Sequence, residues 1–403
     1  MLKRLMAAAL LFLLAVQPAV ALAQPMEEAV EEPSEEGQPE GLPFELEAEG
    51  ALLMDPGSGR ILAEKNIHEK FYPASITKVM TMLLAMEAVE DGRVSLDDEV
   101  VISEAAASLG GSQIFLSPGD VVSLENLLIG VGVGSGNDAS VAVAEHCGNT
   151  LEGFVEKMNE RALELGMKNT RFKNPHGLHD ENHYTTPYDI ALMSRELLKH
   201  PRIHQWLTIW MDEKFLEGQI RSGEVYLSNS NKLVRYYHGA DGLKTGYTQE
   251  ARHCIAATAM RENTRFLAVI MDAPSSDTRF DEARKLLDYG FAGFESRPVV
   301  KAGEELGKVR VDKGRDVLVG LVAAKDFSLL VEKGTQPEIK QEFEVIENIS
   351  APLPAGEPLG VLKVYRDGEP AGTVDLLAAE EVPRAGFAGL LARVLATWVK
   401  FGR

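Results

Sequence analysis

In the heptapeptide YPASITK, Ser75 and Lys78 stand three residues apart, a spacing that puts both side chains on one face where a helix begins. A serine hydroxyl is a weak nucleophile until a nearby base takes its proton, and a lysine can be that base once burial or a neighbouring cation lowers its pKa. Alone the pair says little: one Ser-x-x-Lys arises by chance in a chain of this composition, and a helix start with an exposed lysine explains it as well. Ser135-Gly136-Asn137 follows a glycine-rich run, and its plain reading is a helix N-cap. Lys244-Thr245-Gly246, in DGLKTGYT, offers a cation and a hydroxyl that can hold a carboxylate, with a glycine that lets backbone pass close to a bound substrate. Its plain reading is a turn leading into a strand.

A different chemistry is suggested by NPHGLHDENHYTTPYD, from Asn174 to Asp189. His179 and His183 have nearly the spacing of H-E-x-x-H, in which two histidines on one helix face bind zinc and a glutamate activates its water. Here the acid is Asp180, one methylene shorter, and Pro175, Gly177 and Pro187 bracket the segment, so a helix is not expected and neither is a metal site. The expectation is that His176 or His179 shapes this loop by hydrogen bonds rather than reaching substrate.

These residues need a scaffold. GALLMDPGSGRILAEKN alternates about a Gly-Ser-Gly turn, as a β-hairpin does. SITKVMTMLLAMEAVEDG reads as a helix ended by Gly92, ENLLIGVGVGSGNDASVAVAEHCG as helix, glycine-rich loop and helix, and LEGFVEKMNERALELG as an amphipathic helix. The segment from Gly242 to Ala273 reads as two strands joined by a polar turn, and TRFDEARKLLDYGFAGF as a closing helix. Strands at both ends with helices between predict an α+β domain, an antiparallel sheet flanked by helices. Beyond it, residues 296–381 read as a small β-rich domain without histidine or cysteine, with an echo between GEELGKVRV (303–311) and GEPLGVLKV (356–364).

The chain has 403 residues and a net charge of −20. Lys3 and Arg4, an apolar run from Leu5 to Val16 and the small-x-small Ala21-Leu22-Ala23 predict a signal peptide over 1–23 that is cut before Gln24. Residues 24–49 carry ten glutamates and no lysine or arginine, so half the imbalance belongs to a Pro- and Glu-rich stretch, assigned as a linker over 24–43. Nucleic acid is therefore not an expected partner. Two cysteines, Cys147 and Cys254, do not make a disulfide scaffold; they could pair or stay as buried thiols. At the other end, Phe387, Leu390, Leu391, Val394, Leu395, Trp398 and Phe401 recur at three and four, with Arg393, Lys400 and Arg403 opposite. That pattern predicts a basic amphipathic helix over 382–403, too short and charged to span a membrane and suited to lying on an anionic one; docking on the protein's own core is the alternative.

Each triplet is ordinary, but the three in this order, on helix start, loop and strand, form the set found in penicillin-binding proteins and class A β-lactamases. Together with FYPASITKVMTMLLAMEA, SGNDASVAVAEH, the segment from Phe154 to Leu198 and NSNKLVRYYHGADGLKTGYT, the chain over roughly 44–295 resembles the serine D-alanyl-D-alanine carboxypeptidases, the low-molecular-mass penicillin-binding proteins. The resemblance implies a substrate class, peptidoglycan stem peptides ending in D-Ala-D-Ala, and β-lactam antibiotics as acylating inhibitors, with no cofactor and no metal. It implies that Ser75 attacks, Lys78 takes the hydroxyl proton and Ser135 passes a proton to the leaving D-alanine. Asn137 would position Lys78 and substrate, Lys244 with Thr245 and Gly246 would hold the terminal carboxylate, and the backbone N–H groups of Ser75 and Tyr247 would form the oxyanion hole. Arg279 aligns with a family arginine near that carboxylate, although a surface salt bridge is its plain reading. An exported enzyme at the outer face of the cytoplasmic membrane is the implied setting.

One departure stands out. After KTGYT the family usually has Ala-Gly, whereas this chain has Ala251-Arg252, which puts access near the cleft in question. Two other functions share the triplets. A class A β-lactamase would need an E-x-x-L-N loop between the second and third motifs, which is absent. A penicillin-recognising sensor that acylates without turnover remains open on sequence.

Overall fold

The computed structural model describes residues 44–387 together with 389 and 391. The expected signal peptide, the linker at 24–43 and most of the expected helix at 382–403 lie outside the described residues.

The hairpin expected at the start is formed by β1 (Gly50–Met54) and β2 (Ile61–Lys65), and Gly59 turns it with φ +82°. A 3₁₀ turn, Ala74–Thr77, carries Ser75 and runs into α1 (Lys78–Glu90), so Lys78 opens the helix. α1 is buried almost all round, which is why KVMTMLLAMEA shows no polar face. Gly92 follows with φ +68°.

Next come β3 (Glu99–Val101), α2 (Glu104–Ala107), β4 (Val121–Ser123) and α3 (Leu124–Ile129). The glycine-rich run Gly130–Gly134 is not an open loop but a π turn, and α4 (Asn137–Gly148) starts three residues later. Its N-cap is Gly136 without a side-chain cap, so capping does not account for Ser135. α5 (Leu151–Glu164) buries Phe154, Met158 and Ala162, one stripe at a spacing of four. α6 (Pro187–Leu197) is capped by Thr186 with proline at its first position, and α7 (Pro201–Leu207) follows. The hairpin of β5 (Met211–Ile220) and β6 (Gly223–Ser228) and the short α8 (Leu233–Tyr236) complete the helical side.

Where two strands were expected, three are found: β7 (Ala240–Thr248), β8 (Arg252–Arg261) and β9 (Thr264–Ala273), followed by α9 (Ser276–Gly293). The turn expected before Lys244 is absent: Gly242 takes positive φ within the paired strand β7, and Lys244 sits mid-strand. The sheet order is β2-β1-β9-β8-β7, antiparallel throughout, with β7 at the edge. Alternation divides its two faces. Leu52, Met54, Leu267, Val269 and Met271 pack toward α1 and its neighbours, whereas Ala51, Leu53, Phe266, Ala268 and Ile270 pack under α9.

The C-terminal part is all β: β10 (Phe294–Val300) pairs with β13 (Phe327–Glu332). A five-stranded sheet joins β11 (Glu305–Arg310), β12 (Leu318–Ala323), β16 (Glu369–Ala378), β15 (Pro358–Arg366) and β14 (Ile339–Val345) around its own core, which includes Leu321, Leu362, Val364 and Leu376. The two echoed segments are β11 and β15 with their approach turns. Cys147 and Cys254 are free and buried.

Candidate active site

The Lys78 side chain is fully buried, and three oxygens surround its Nζ: Ser75 Oγ at 3.1 Å, Asn137 Oδ1 at 2.8 Å and the His176 carbonyl at 2.7 Å. Two of these can only accept. A neutral amine satisfies both with its two N–H groups and keeps a lone pair for the serine proton; an ammonium must donate to all three. Burial, then the charge of Lys244, holds the Lys78 pKa well below its ordinary range, while Asp138 acts in the opposite direction. Burial and the Lys244 charge thus both favour the neutral form of Lys78 more than water would.

Asn137 is oriented by bonds on every side. Its Nδ2 donates to the Gly110 carbonyl at 2.7 Å and its backbone N–H to the Ser112 carbonyl at 2.7 Å, which leaves Oδ1 for Lys78. Asp138, fully buried, accepts from the backbone N–H groups of Ile114 and Leu116 and fastens the 112–116 segment over the start of α4. Ser135 sits in a left-handed turn, φ +60° and ψ +31°, with its hydroxyl unbonded. The structure thus joins Ser75, Lys78 and Asn137 by direct hydrogen bonds, whereas the Ser135 hydroxyl bonds none of them among the described residues.

The strand carrying the third triplet closes the other side. A Cβ on Gly246 would lie 3.0 Å from the Pro73 carbonyl oxygen and 3.2 Å from the Ser75 nitrogen, so only glycine lets β7 approach this close. Lys244 is fully buried, and burial followed by the Arg279 charge brings its pKa down to about 7. Its Nζ meets one acceptor, the Thr245 carbonyl at 3.2 Å. Arg279, also buried, makes no salt bridge among the described residues: its guanidinium donates to the carbonyls of Gly246 at 3.0 Å and Cys254 at 3.4 Å and to Ser276 Oγ at 3.5 Å, and its Nε has no partner there. Tyr247 is exposed and its ring lies 4.6 Å from that of His253. Arg252 takes φ +52°, where glycine would be unstrained, and turns its guanidinium to Asp272 at 3.0 Å.

The loop that looked like a zinc motif contains no helix before Pro187. His176 accepts the Leu178 N–H at Nδ1, and burial lowers its pKa to about 3. His179 is edge-on to Tyr72 at 4.7 Å. His183 has both ring nitrogens occupied, Nδ1 accepting from the Lys173 N–H at 3.3 Å and Nε2 beside Thr77 Oγ1 at 2.8 Å. Gly177, φ +87°, lies over the Ala74 carbonyl, and the loop delivers the His176 carbonyl to Lys78. Among the described residues no cluster of histidine, cysteine and acid is arranged for a metal. Ser230, whose Oγ receives the Thr245 hydroxyl at 2.7 Å, was not singled out from sequence, since it acts through contacts with distant segments; His183 was singled out only for its metal-like spacing.

The sequence profile of the D-alanyl-D-alanine carboxypeptidases matches residues 33–275, more than half of the chain. The chain belongs to this family. A second profile, that of the penicillin-binding protein 5 C-terminal domain, matches residues 294–384 of the carboxypeptidase chain. It is 42% identical to D-alanyl-D-alanine carboxypeptidase DacF of Bacillus subtilis, over 88% of this chain and 91% of that one. Identity to D-alanyl-D-alanine carboxypeptidase DacA of Haemophilus influenzae is 35%, covering 89% and 91%. Penicillin-binding protein 5 from Haemophilus influenzae superposes with a TM-score of 0.67 at 34% identity, over 86% of this carboxypeptidase and all of that chain.

Proposed function

We propose that the chain removes the terminal D-alanine from peptidoglycan stem peptides through an acyl-enzyme on Ser75, and that β-lactams acylate the same serine. The observation that carries this reading is Lys78: buried, depressed in pKa, and 3.1 Å from Ser75 Oγ. Lys78 takes the hydroxyl proton as Oγ attacks the carbonyl of the penultimate D-alanine. The backbone N–H groups of Ser75 and Tyr247 stabilise the oxyanion, a donor pair worth about 3 kcal/mol per donor. Ser135 passes the proton to the leaving amine, free D-alanine departs, and water then releases the shortened peptide.

Lys244, with donors to spare in a buried place, supplies the charge for the terminal carboxylate, beside the Thr245 hydroxyl. Arg279 acts one step back: bound to the Gly246 carbonyl, it fixes β7 and adds positive potential behind Lys244. Release of D-alanine from diacetyl-Lys-D-Ala-D-Ala, abolished in Ser75→Ala, tests the reading. Acylation by penicillin without peptide turnover would favour the sensor alternative, and fast penicillin hydrolysis with the peptide intact would favour a β-lactamase.

The setting we infer is export by the signal peptide at 1–23 and peripheral attachment to the outer face of the cytoplasmic membrane by the basic amphipathic segment 382–403. No helix among the described residues is long and apolar enough to cross a membrane. Removing residues 383–403 should release the protein from membranes; a truncated chain that still pellets with them would overturn the attachment.

A further inference from the structure

Around the third triplet, hydrogen-bond donors outnumber acceptors. Lys244 is fully buried, yet among the described residues its Nζ meets one acceptor, the Thr245 carbonyl. Arg279 Nε is buried with none. Thr245 donates its hydroxyl to Ser230 Oγ at 2.7 Å, and the proton of Ser230 then has no acceptor among the described residues. A buried donor without an acceptor is costly, and an anion beside Lys244 and Ser230 would satisfy theirs.

Ser230 is the part of this group that can meet such an anion directly. It is the middle residue of Asn229-Ser230-Asn231, in which both asparagines are buried and Ser230 is partly open. Asn229 donates through Nδ2 to the carbonyls of Leu207 and Ile209, both at 2.9 Å, and accepts the Asn231 N–H at 2.9 Å. Asn231 donates to the Gly242 carbonyl at 2.9 Å and accepts the Leu233 N–H at 3.1 Å. With both side-chain amides engaged, the Ser230 backbone is clamped from either side. Its own N–H reaches the Val133 carbonyl at 3.3 Å, in the π turn that leads to Ser135. The segment therefore ties the second motif to the third and holds one hydroxyl at their junction.

We propose that Ser230 is a substrate-binding residue, whose hydroxyl donates to the free carboxylate of the terminal residue while accepting from Thr245. In this arrangement the Thr245 proton is engaged by Ser230, so the Ser230 hydroxyl has a proton to give the carboxylate beside Thr245. Lys244 supplies the charge and Ser230 the directed hydrogen bond; Asn229 and Asn231 are positioning residues. This inference rests on the carboxypeptidase reading and deepens it: it adds Ser230 to the residues that hold the terminal carboxylate.

The experiment compares N-benzoyl-D-alanylthioglycolate, which presents a free carboxylate on its leaving group, with its methyl ester, which does not. In Ser230→Ala, kcat/KM for the acid should fall about tenfold to a hundredfold, the worth of one hydrogen bond to a charged group. The ester should change less than about twofold on the same principle, which also shows that the variant is folded. Ser230→Thr, which keeps the hydroxyl, should retain most of the acid activity, and Asn231→Ala should lose the acid selectively as Ser230→Ala does. An unchanged acid rate in Ser230→Ala, or equal losses on acid and ester, would overturn the inference while wild type still releases D-alanine from diacetyl-Lys-D-Ala-D-Ala. A wild-type chain that releases none would overturn the reaction itself.

Discussion

His183 Nε2 lies 2.8 Å from Thr77 Oγ1, although 106 residues separate them, and Thr77 in turn donates to the Ala74 carbonyl at 2.8 Å. Because Nδ1 accepts the Lys173 N–H, the ring proton is on Nε2 and the imidazole is neutral. The contact supports Ala74, whose φ of +45° places the residue before Ser75 in a region that costs about 1–2 kcal/mol for an L side chain. A histidine that resembled a metal ligand in sequence is thus a brace for the turn that carries Ser75.

That brace predicts acid lability. Burial lowers the His183 pKa to about 4 and the His176 pKa to about 3, whereas both titrate near 6.5 when unfolded. Between those values the unfolded chain binds protons that the folded chain does not, so stability is fully present above pH 6.5 and is lost as pH falls toward 4. For His183 alone the loss approaches about 3 kcal/mol. Thermal melts from pH 7 to 4 should show a falling Tm, and His183→Ala, destabilised by about 2 kcal/mol at pH 7, should show a shallower fall. A Tm that is flat over this range in the wild type would refute the assignment.

Lys244 predicts the alkaline side of the activity profile. Its pKa of about 7, set by burial and then by Arg279, means that the free enzyme loses this charge as pH rises through 7. The carboxylate then loses its cation, so kcat/KM should decline above that point, chiefly through KM. Lys244→Arg, whose charge persists throughout the range, should move the decline to higher pH even if its overall rate is lower. If the limb stays in place in that variant, another group controls it.

The two cysteines give a prediction that does not depend on catalysis. Burial pushes the Cys147 thiol up to about 11 and the Cys254 thiol up to about 12, and the two are unpaired. Thiolate is the reactive form, so the native protein at pH 8 should resist an aromatic disulfide reagent and the denatured protein should release two thiols. Fewer than two after denaturation without reductant would indicate a disulfide.

Much of the site could be read from sequence because Ser75-x-x-Lys78, Ser135-Gly136-Asn137 and Lys244-Thr245-Gly246 are local patterns tied to local structure. The sheet with helices against it followed from periodicity for the same reason. What could not be read depends on distant pairings: the His176 carbonyl comes to Lys78 across 98 residues, and Ser230 meets Thr245 through a hairpin region whose strands β5 and β6 carry few buried apolar residues. A strand was expected to start near Lys244, but β7 begins at Ala240 and the region holds three strands rather than two, with the register Gly242↔Thr258 through Thr248↔Arg252 pairing β7 with β8. Arg279 shows the same limit. Its alignment suggested a carboxylate or a surface acid, and its bonds go to backbone carbonyls.

Gly246 provides the sharpest mutational test of the site's shape. The methyl group of Gly246→Ala would meet the Pro73 oxygen at 3.0 Å, Ala74 Cβ at 3.1 Å and the Ser75 nitrogen at 3.2 Å, all but one of them backbone atoms with little freedom to yield. The substitution must therefore push β7 away from the 3₁₀ turn by a few tenths of an ångström, widening the gap between the N–H groups of Ser75 and Tyr247. Overpacking of this kind costs about 1–3 kcal/mol of stability. The larger effect should fall on acylation, because separating two oxyanion donors forfeits transition-state stabilisation that depends on their spacing, about 10²-fold or more in kcat. Pre-steady-state acylation by penicillin and D-alanine release should drop together, with KM changed far less. Equal acylation rates in Gly246→Ala and wild type would show that the close approach of β7 to Ser75 is packing alone and that the oxyanion is held elsewhere.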